Sequence, residues 1–418
     1  MSEPERRSRG ARLVRAAIPE PGPLRTLAKS TLANTIGSGL FFTIEVIYFT
    51  RSVGLSVHLV AVGLGIAAAA GLLVSVPVGH LADRWGPREL NAATCVGEGL
   101  AMAAFSLVHS FGGFVLVSVV GGMLSNATGS VRGAMMSRFG VGDERVRVRA
   151  FQRAVANFGI AIGMLFAGVA LAYDTRAGYL AMILGNALTF FVAAFFIMRL
   201  PAMPPLPLID GSSREPMTVV LKDHRYLLAS ALNGLFSIHI AVQSVGIPLW
   251  VIDHTRAPRW WVAVLLVVNT MMVVTLQVRF SRGSGDVARA ARAFRRSGLL
   301  IGLGFLCYAA AEGANAVVAC AVLVLGMIFH TLGELYSSGA SWGIGFGMAR
   351  EDLQGQYQGA YALGRSISGI LAPLIVISTA VTLGRPGWVI LAAGLVLVGA
   401  AFSPLVRSYL RATDPAPG

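Results

Sequence analysis

Apolar runs of about 20 residues recur from near residue 28 to near residue 408, each able to carry a helix across about 30 Å of hydrocarbon at about 1.5 Å per residue. About twelve can be read off: 28–50, 57–79, 90–109, 112–134, 151–173, 178–199, 226–252, 260–280, 298–314, 316–341, 357–382 and 387–406. In hydrocarbon every backbone N–H and C=O must bond within its own segment or a closed barrel, so runs of this length predict helices. Only 13% of the residues are charged and 55% are hydrophobic, whereas a soluble domain carries roughly a quarter charged residues. The expected fold class is an all-α polytopic membrane protein with twelve transmembrane helices.

The longest polar interruption, "RLPAMPPLPLIDGSSREPMTVVLKDHRY" at 199–226, is rich in Pro, Gly and Ser and separates the sixth run from the seventh. The expected organisation is a tail at 1–25, a six-helix bundle at 26–200, a central loop at 201–225, a second six-helix bundle at 226–408 and a tail at 409–418. The two bundles share no residue-level repeat, but they share a hydropathy pattern, as pseudo-symmetric transporter halves do. Connections such as "RSVGLS" at 51–56 and "LGRPG" at 383–387 are short, which forces neighbouring helices to be antiparallel.

The net charge of +14 is distributed by topology. The segments on one side hold Arg6 to Lys29, Arg84, Arg88, Arg138 to Arg153, Arg199 to Arg225, Arg279 to Arg296, Arg350, Arg407 and Arg411; the other side holds Arg51, Arg176, Arg256, Arg259 and Arg385. Such a bias predicts a multi-pass protein of the cell membrane with both termini in the cytoplasm, and contact with anionic lipids follows as a secondary consequence. It points away from nucleic acid. The tail before the first run is polar, without a cleavable signal pattern, so the first helix is expected to stay. Cys95, Cys307 and Cys320 lie in the apolar runs and imply no disulfide framework.

One inner loop departs from a merely basic turn. In "GHLADRWGPREL", residues 79–90, Gly79 is expected to end a helix, Gly86 and Pro87 to make the turn, and Asp83, Arg84, Arg88 and Glu89 to bond to one another and to helix ends. The stretch resembles the loop motif G-x-L-a-D-r-x-G-r-k of the major facilitator superfamily at Gly79, Leu81, Ala82, Asp83, Arg84, Gly86 and Arg88, with Pro87 in place of a basic residue. The resemblance extends over essentially the whole chain and is to the twelve-helix drug and natural-product:proton antiporters. It implies that Asp83 sits near the start of the eleventh helix and that Asp83, Arg84 and Arg88 belong to a gate network at the cytoplasmic side.

Charged groups at membrane depth cost about 2.5–3.5 kcal/mol on insertion scales and demand partners, water or function. In "GMIFHTLGELYSSGASW", helical spacing aligns Gly326, His330, Glu334, Ser337 or Ser338, and Ser341. Glu334 and His330 are candidates for proton coupling, or for a fixed pair locking the tenth helix. Glu45 shares a helical face with Asn34 and Ser38, and is a candidate for carrying a proton or binding a cation, or else snorkels to water. Glu98 is a weaker candidate. Tyr357, Tyr361, Arg365 and Ser368 recur at helical spacing; Arg365 either neutralises Glu334 or holds an anionic substrate, and Arg132 is expected to cap the fourth helix. His239 and Gln243 lie one turn apart ahead of Pro248, which permits bending. Asn34, Ser38, His239, Gln243, Tyr336, Tyr361 and Arg365 are the expected cavity lining, and Trp250, Trp260 and Trp261 are assigned to an interfacial belt.

The functional expectation is a secondary transporter exporting small amphipathic compounds by alternating access, driven by proton antiport; the alternative is a facilitator or proton symporter for a small solute. The fifth-helix antiport motif of the family is incomplete: "NFGIAIGMLFAGVAL" keeps Asn157, Gly159, Gly163 and Gly168, with Met164 where Pro is expected. Few buried charges and a broad apolar lining weigh against a sugar or phosphate site. No HExxH or GK[ST] motif occurs, the histidines lack paired metal-ligand spacing, and no enzyme activity, metal or cofactor is expected. The partners expected are a small amphipathic substrate, protons and membrane lipids, for a chain working as a monomer.

Overall fold

The computed structural model describes residues 22–205 and 218–413. The expected tails, apart from their helix-proximal residues, and most of the central loop, with Arg6 to Arg15 and Arg214, lie outside the described residues. Among the described residues the chain is helical, without strands. The long helices are α1 (Pro23–Ser52), α2 (His58–Trp85), α3 (Pro87–Leu107), α4 (Phe111–Met136), α5 (Asp143–Leu171), α6 (Arg176–Met198), α7 (His224–His254), α8 (Trp261–Phe280), α9 (Val287–Ala310), α10 (Ala316–Gly347), α11 (Glu351–Val381) and α12 (Arg385–Thr413). All but α9 are long and apolar enough to span a membrane. α9 opens with Arg289, Arg292, Arg295 and Arg296 before its apolar part.

Several starts are written locally. Ser56, Ser110, Thr175, Asp223, Asp286 and Asn315 each accept a bond from the backbone N–H three residues on, filling one of the donors a helix start leaves open. The ends nearest the basic loops run further than hydropathy indicates: α5 begins at Asp143, α9 at Val287, and α12 continues to Thr413. Hydropathy stops at the first charges, whereas the backbone ladder continues through charged turns beyond the hydrocarbon. For the same reason Gly79 does not end α2, which continues to Trp85; Gly86, at φ 95°, stops it, and Pro87 opens α3.

In the first half α1 packs on α5 and α6, and α2 on α4; in the second, α9 packs on α10 and α12, and α7 on α11. Gly159 and Gly163 of α5 lie against α1, and a Cβ on Gly163 would overlap the Ile36 carbonyl oxygen. That stretch is therefore a close helix contact within one half. The second half is centred on aromatic rings: Trp250, Trp388 and Tyr308 are fully buried, and the Trp250 indole N–H donates to the Tyr308 carbonyl at 2.8 Å. Trp250 thus belongs to the core and not to a belt, because its N–H finds a partner inside; Trp260 is 63% exposed. In α7 a π-helical turn, Val242–Gly246, precedes Pro248, where the missing N–H leaves the ladder free to slip.

Across the seam α11 packs on α2 and α4, and α5 packs on α8 and α10. Hydrogen bonds between the halves join residues in the basic-loop end and the middle of the bundle.

Candidate functional site: the seam between the halves

α11 begins without a side-chain cap of its own. Asp83, at the last turn of α2, fills that place from the other half: its carboxylate oxygens accept from Gly355 N–H at 2.8 Å and Gln356 N–H at 3.0 Å. A buried carboxylate on a helix N-terminus combines charge-assisted bonds with the positive end of the helix dipole, and Asp83 is 8% exposed. The approach needs glycine on both sides, since a Cβ on Gly79 would overlap the Gly355 carbonyl oxygen and one on Gly355 would overlap that of Gly79. His80 Nδ1 lies 2.7 Å from the Gln356 amide nitrogen. Arg84 is exposed. Arg88 turns back into the first half, donating to the Met198 carbonyl at 2.6 Å.

A second contact joins the halves, again with the acid in the first half and the donors in the second, but with the acid on the helix start and the donors in the loop. Asp143, the first residue of α5, accepts from the Gly283 and Gly285 N–H groups at 3.1 and 2.6 Å, in the turn between α8 and α9. Nearby, the Arg145 guanidinium sits 5.4 Å from the centre of the Phe346 ring, a cation–π contact from α5 to α10.

Deeper in the seam, Arg153 of α5 pairs with Glu334 of α10 and donates to Ser338. The other Glu334 oxygen accepts from Asn269 of α8 at 2.8 Å. Glu334 is 6% exposed. One carboxylate therefore ties three helices from both halves, and removing its charge removes the reason for Arg153 to be there. Arg365 was one expected neutraliser of Glu334; Arg153 occupies that place, because Glu334 and Ser338, one turn apart, both face α5.

The remaining expected residues fall into separate groups. His330 is fully buried inside the second half, its ring nitrogens 3.3 Å from His239 Nδ1 and 3.3 Å from the Tyr308 hydroxyl. Although it is one turn from Glu334, it lies in a closed polar cluster and not in the seam. Gln243 is half-buried, with its amide nitrogen lacking a partner, and Tyr336 stacks edge-on against Phe280. Asn34, Ser38 and Glu45 line one cavity of about 330 Å³ in the first half, together with Glu98, Phe41, Phe105 and Phe190. Glu98 accepts from the Thr128 hydroxyl at 2.7 Å. Arg132 donates to the Thr31 hydroxyl at 3.3 Å, reaching across to α1 instead of capping α4. Tyr361 and Arg365 line a narrow cavity of about 20 Å³ at the seam with Arg149, Ser341, Trp342 and Gln358.

Asp143, Arg145, Arg149 and Arg153 were visible in the sequence only as part of a basic inner segment. Their one local signal was the spacing of Arg145, Arg149 and Arg153, a charged stripe on the face of a helix that runs on into an apolar span.

Two six-helix halves joined by a polar seam, built from helices long and apolar enough to span a membrane, define a multi-pass membrane protein. The family model for the Major Facilitator Superfamily matches residues 27–373, and the chain belongs to that superfamily. It is similar to the class C tetracycline resistance protein of Escherichia coli, 24% identical over 323 residues that cover 75% of this chain and 78% of the relative. It is also similar to the multidrug resistance protein MdtH of Escherichia coli strain SE11, 23% identical over 343 residues, 80% of this chain and 81% of the relative. Among solved structures, a bacterial homologue of the iron transporter ferroportin in an outward-facing state superposes with a TM-score of 0.69 at 14% identity, covering 93% of this chain and 99% of the other. The human organic anion transporter MFSD10 gives 0.62 at 15% identity, covering 93% and 98%. These two structures share the fold.

Proposed function

We propose that this transporter exports small amphipathic compounds across the cell membrane in exchange for protons, with the basic loops and both termini in the cytoplasm. The observation that carries the reading is the position of Glu334: a titratable carboxylate in the seam, tied to Arg153 of the opposite half. On this reading the seam contacts of Asp83 and Asp143 close the basic-loop end, which is the cytoplasmic one. A proton entering from outside neutralises Glu334, frees Arg153 and weakens the seam at the cytoplasmic end. The halves then rock, substrate enters from inside, and loss of the proton restores the pair. The two ligands thus bias one equilibrium in opposite directions, the condition for exchange. The relatives' names, tetracycline and multidrug resistance proteins, support the substrate range, as does the aromatic lining of the cavity around Glu45.

The test is transport in liposomes with an imposed proton gradient, using a lipophilic cationic dye, a neutral amphipath and an aromatic carboxylate. Antiport predicts gradient-driven accumulation of at least one compound with matching proton movement, both lost in Glu334→Gln. Flux that equilibrates without proton movement would make the chain a facilitator.

A further inference from the structure

We infer that the basic end of the second half holds an anionic phospholipid, its headgroup phosphate seated among Arg225 of α7 and Arg407 and Arg411 of α12. The inference stands apart from the export reading, since it concerns the membrane around the halves and not the seam between them. The three arginines, with Pro404, Ser408 and Ala412, line a surface depression of about 400 Å³, more than ten times the roughly 30 Å³ that one water takes up. α7 and α12 pack against each other, and Arg225 Nε donates to the Ser408 hydroxyl at 3.3 Å, joining the two helix ends at the depression. Among the described residues none of the three arginines has an ion pair, and Arg407 and Arg411 make no hydrogen bond. No carboxylate lines the space. Asp223, two residues ahead of Arg225, is engaged elsewhere, by the Tyr226 N–H at 3.0 Å and the Tyr357 hydroxyl at 3.1 Å.

Three guanidinium groups around one space repel one another and remain charged at any physiological pH. An anion relieves that repulsion, and the depth of the depression says which anion meets it. The apolar run of α7 begins at 226 and that of α12 ends at 406, so Arg225 and Arg407 stand just beyond the hydrocarbon and Arg411 one turn further out. At about 1.5 Å per residue these positions fall within the roughly 5–8 Å that headgroups occupy on each side of a bilayer. Arg407 and Arg411, one turn apart, share a helix face, and each guanidinium presents paired donors that match phosphate oxygens. Toward the hydrocarbon the same surface turns apolar. Leu397, Pro404 and Arg411 recur at intervals of seven residues on that face of α12, and Leu228 stands three residues from Arg225 on α7; Leu397 is 70% exposed and Leu228 49%. Cations matched to phosphate beside an exposed apolar strip fit a lipid, its chains along the strip, whereas a free phosphate would use the arginines alone. A zwitterionic headgroup would bring an ammonium among three like charges, so the lipid selected carries a net negative charge.

The experiment measures, by native mass spectrometry, the affinity of the purified protein in nonionic detergent for phosphatidylglycerol and for phosphatidylcholine with the same chains. Phosphatidylglycerol is expected to fill one site at least about tenfold more tightly than phosphatidylcholine. Arg407→Gln and Arg411→Gln should each weaken it about fivefold, the effect of one cation at the surface of an anionic membrane, with phosphatidylcholine unchanged. Arg147→Gln removes the same charge from an exposed position at the basic end of α5, in the other half, and should leave phosphatidylglycerol bound as in the wild type. Equal affinity of the wild type for the two lipids would overturn the proposal without any variant. So would a loss in Arg147→Gln as large as in Arg407→Gln, which would leave only the diffuse attraction of a basic surface. Displacement of the lipid by glycerol phosphate or inorganic phosphate at equal concentration would overturn it as well, and would assign the depression to a free phosphate.

Discussion

Asp83 completes the start of a helix that belongs to the other half of the molecule, so its charge is tied to one state of the seam. Asp83→Asn keeps the size and removes the charge. A charged cap in a partly buried place contributes about 1–2 kcal/mol, so the latched state should lose about 5–30-fold in its equilibrium. The check is labelling of Ala362→Cys, on α11 in the lining of the narrow seam cavity, in a background without Cys95, Cys307 and Cys320, by an impermeant maleimide from the basic side; its rate should rise by about that factor, or by a lesser one where labelling limits. Gly355→Ala acts on the same contact by sterics: expression persists, but transport falls, because the added Cβ meets Gly79. His330 makes the opposite prediction. It is enclosed with His239 and Tyr308, so His330→Leu leaves partners unpaired at about 1–3 kcal/mol. The melting temperature should drop while the pH dependence of transport stays as in the wild type, read by thermal unfolding and a pH series.

At the level of helices, the seam carries two latches in corresponding places of the halves, one with the acid at the end of α2 and the other with the acid at the start of α5. The outer one is more exposed: Asp143 is open to water, and such pairs contribute less. Asp143→Asn should therefore raise Ala362→Cys labelling less than Asp83→Asn, and the double variant should exceed the sum if both latches close one cooperative seam. The helices themselves were legible because apolar stretches of this length are hard to mistake, whereas the caps that start them, such as Ser110 and Asn315, emerge only in the structure. The basic ends of the helices were not legible either, since a hydropathy window closes where Arg147 and Arg149 begin, although the ladder does not. Glu334 stood out as the acid of its apolar run. Its partner did not, because Arg153 sits at the edge of the span and reads as a topological charge. Trp250 was misread because an aromatic near a span end resembles an interfacial anchor; only the packing against Tyr308 shows otherwise.

For the whole molecule, the account is that a proton on Glu334 decides whether the basic end is closed. Closure there rests on polar contacts, which can be made in one state and broken in the other, whereas the apolar cores of the two halves move as rigid bodies. The most direct measurement is the distance between spin labels on Val141→Cys and Arg407→Cys, both exposed at the basic end, by pulsed electron paramagnetic resonance in the Cys-free background. A short distance is predicted with Glu334 intact, and a long one in Glu334→Gln, which lacks the charge that holds Arg153. A Glu334→Gln protein that keeps the short distance would contradict this, and would place the switch on another carboxylate, with Glu45 and Glu98 next in line.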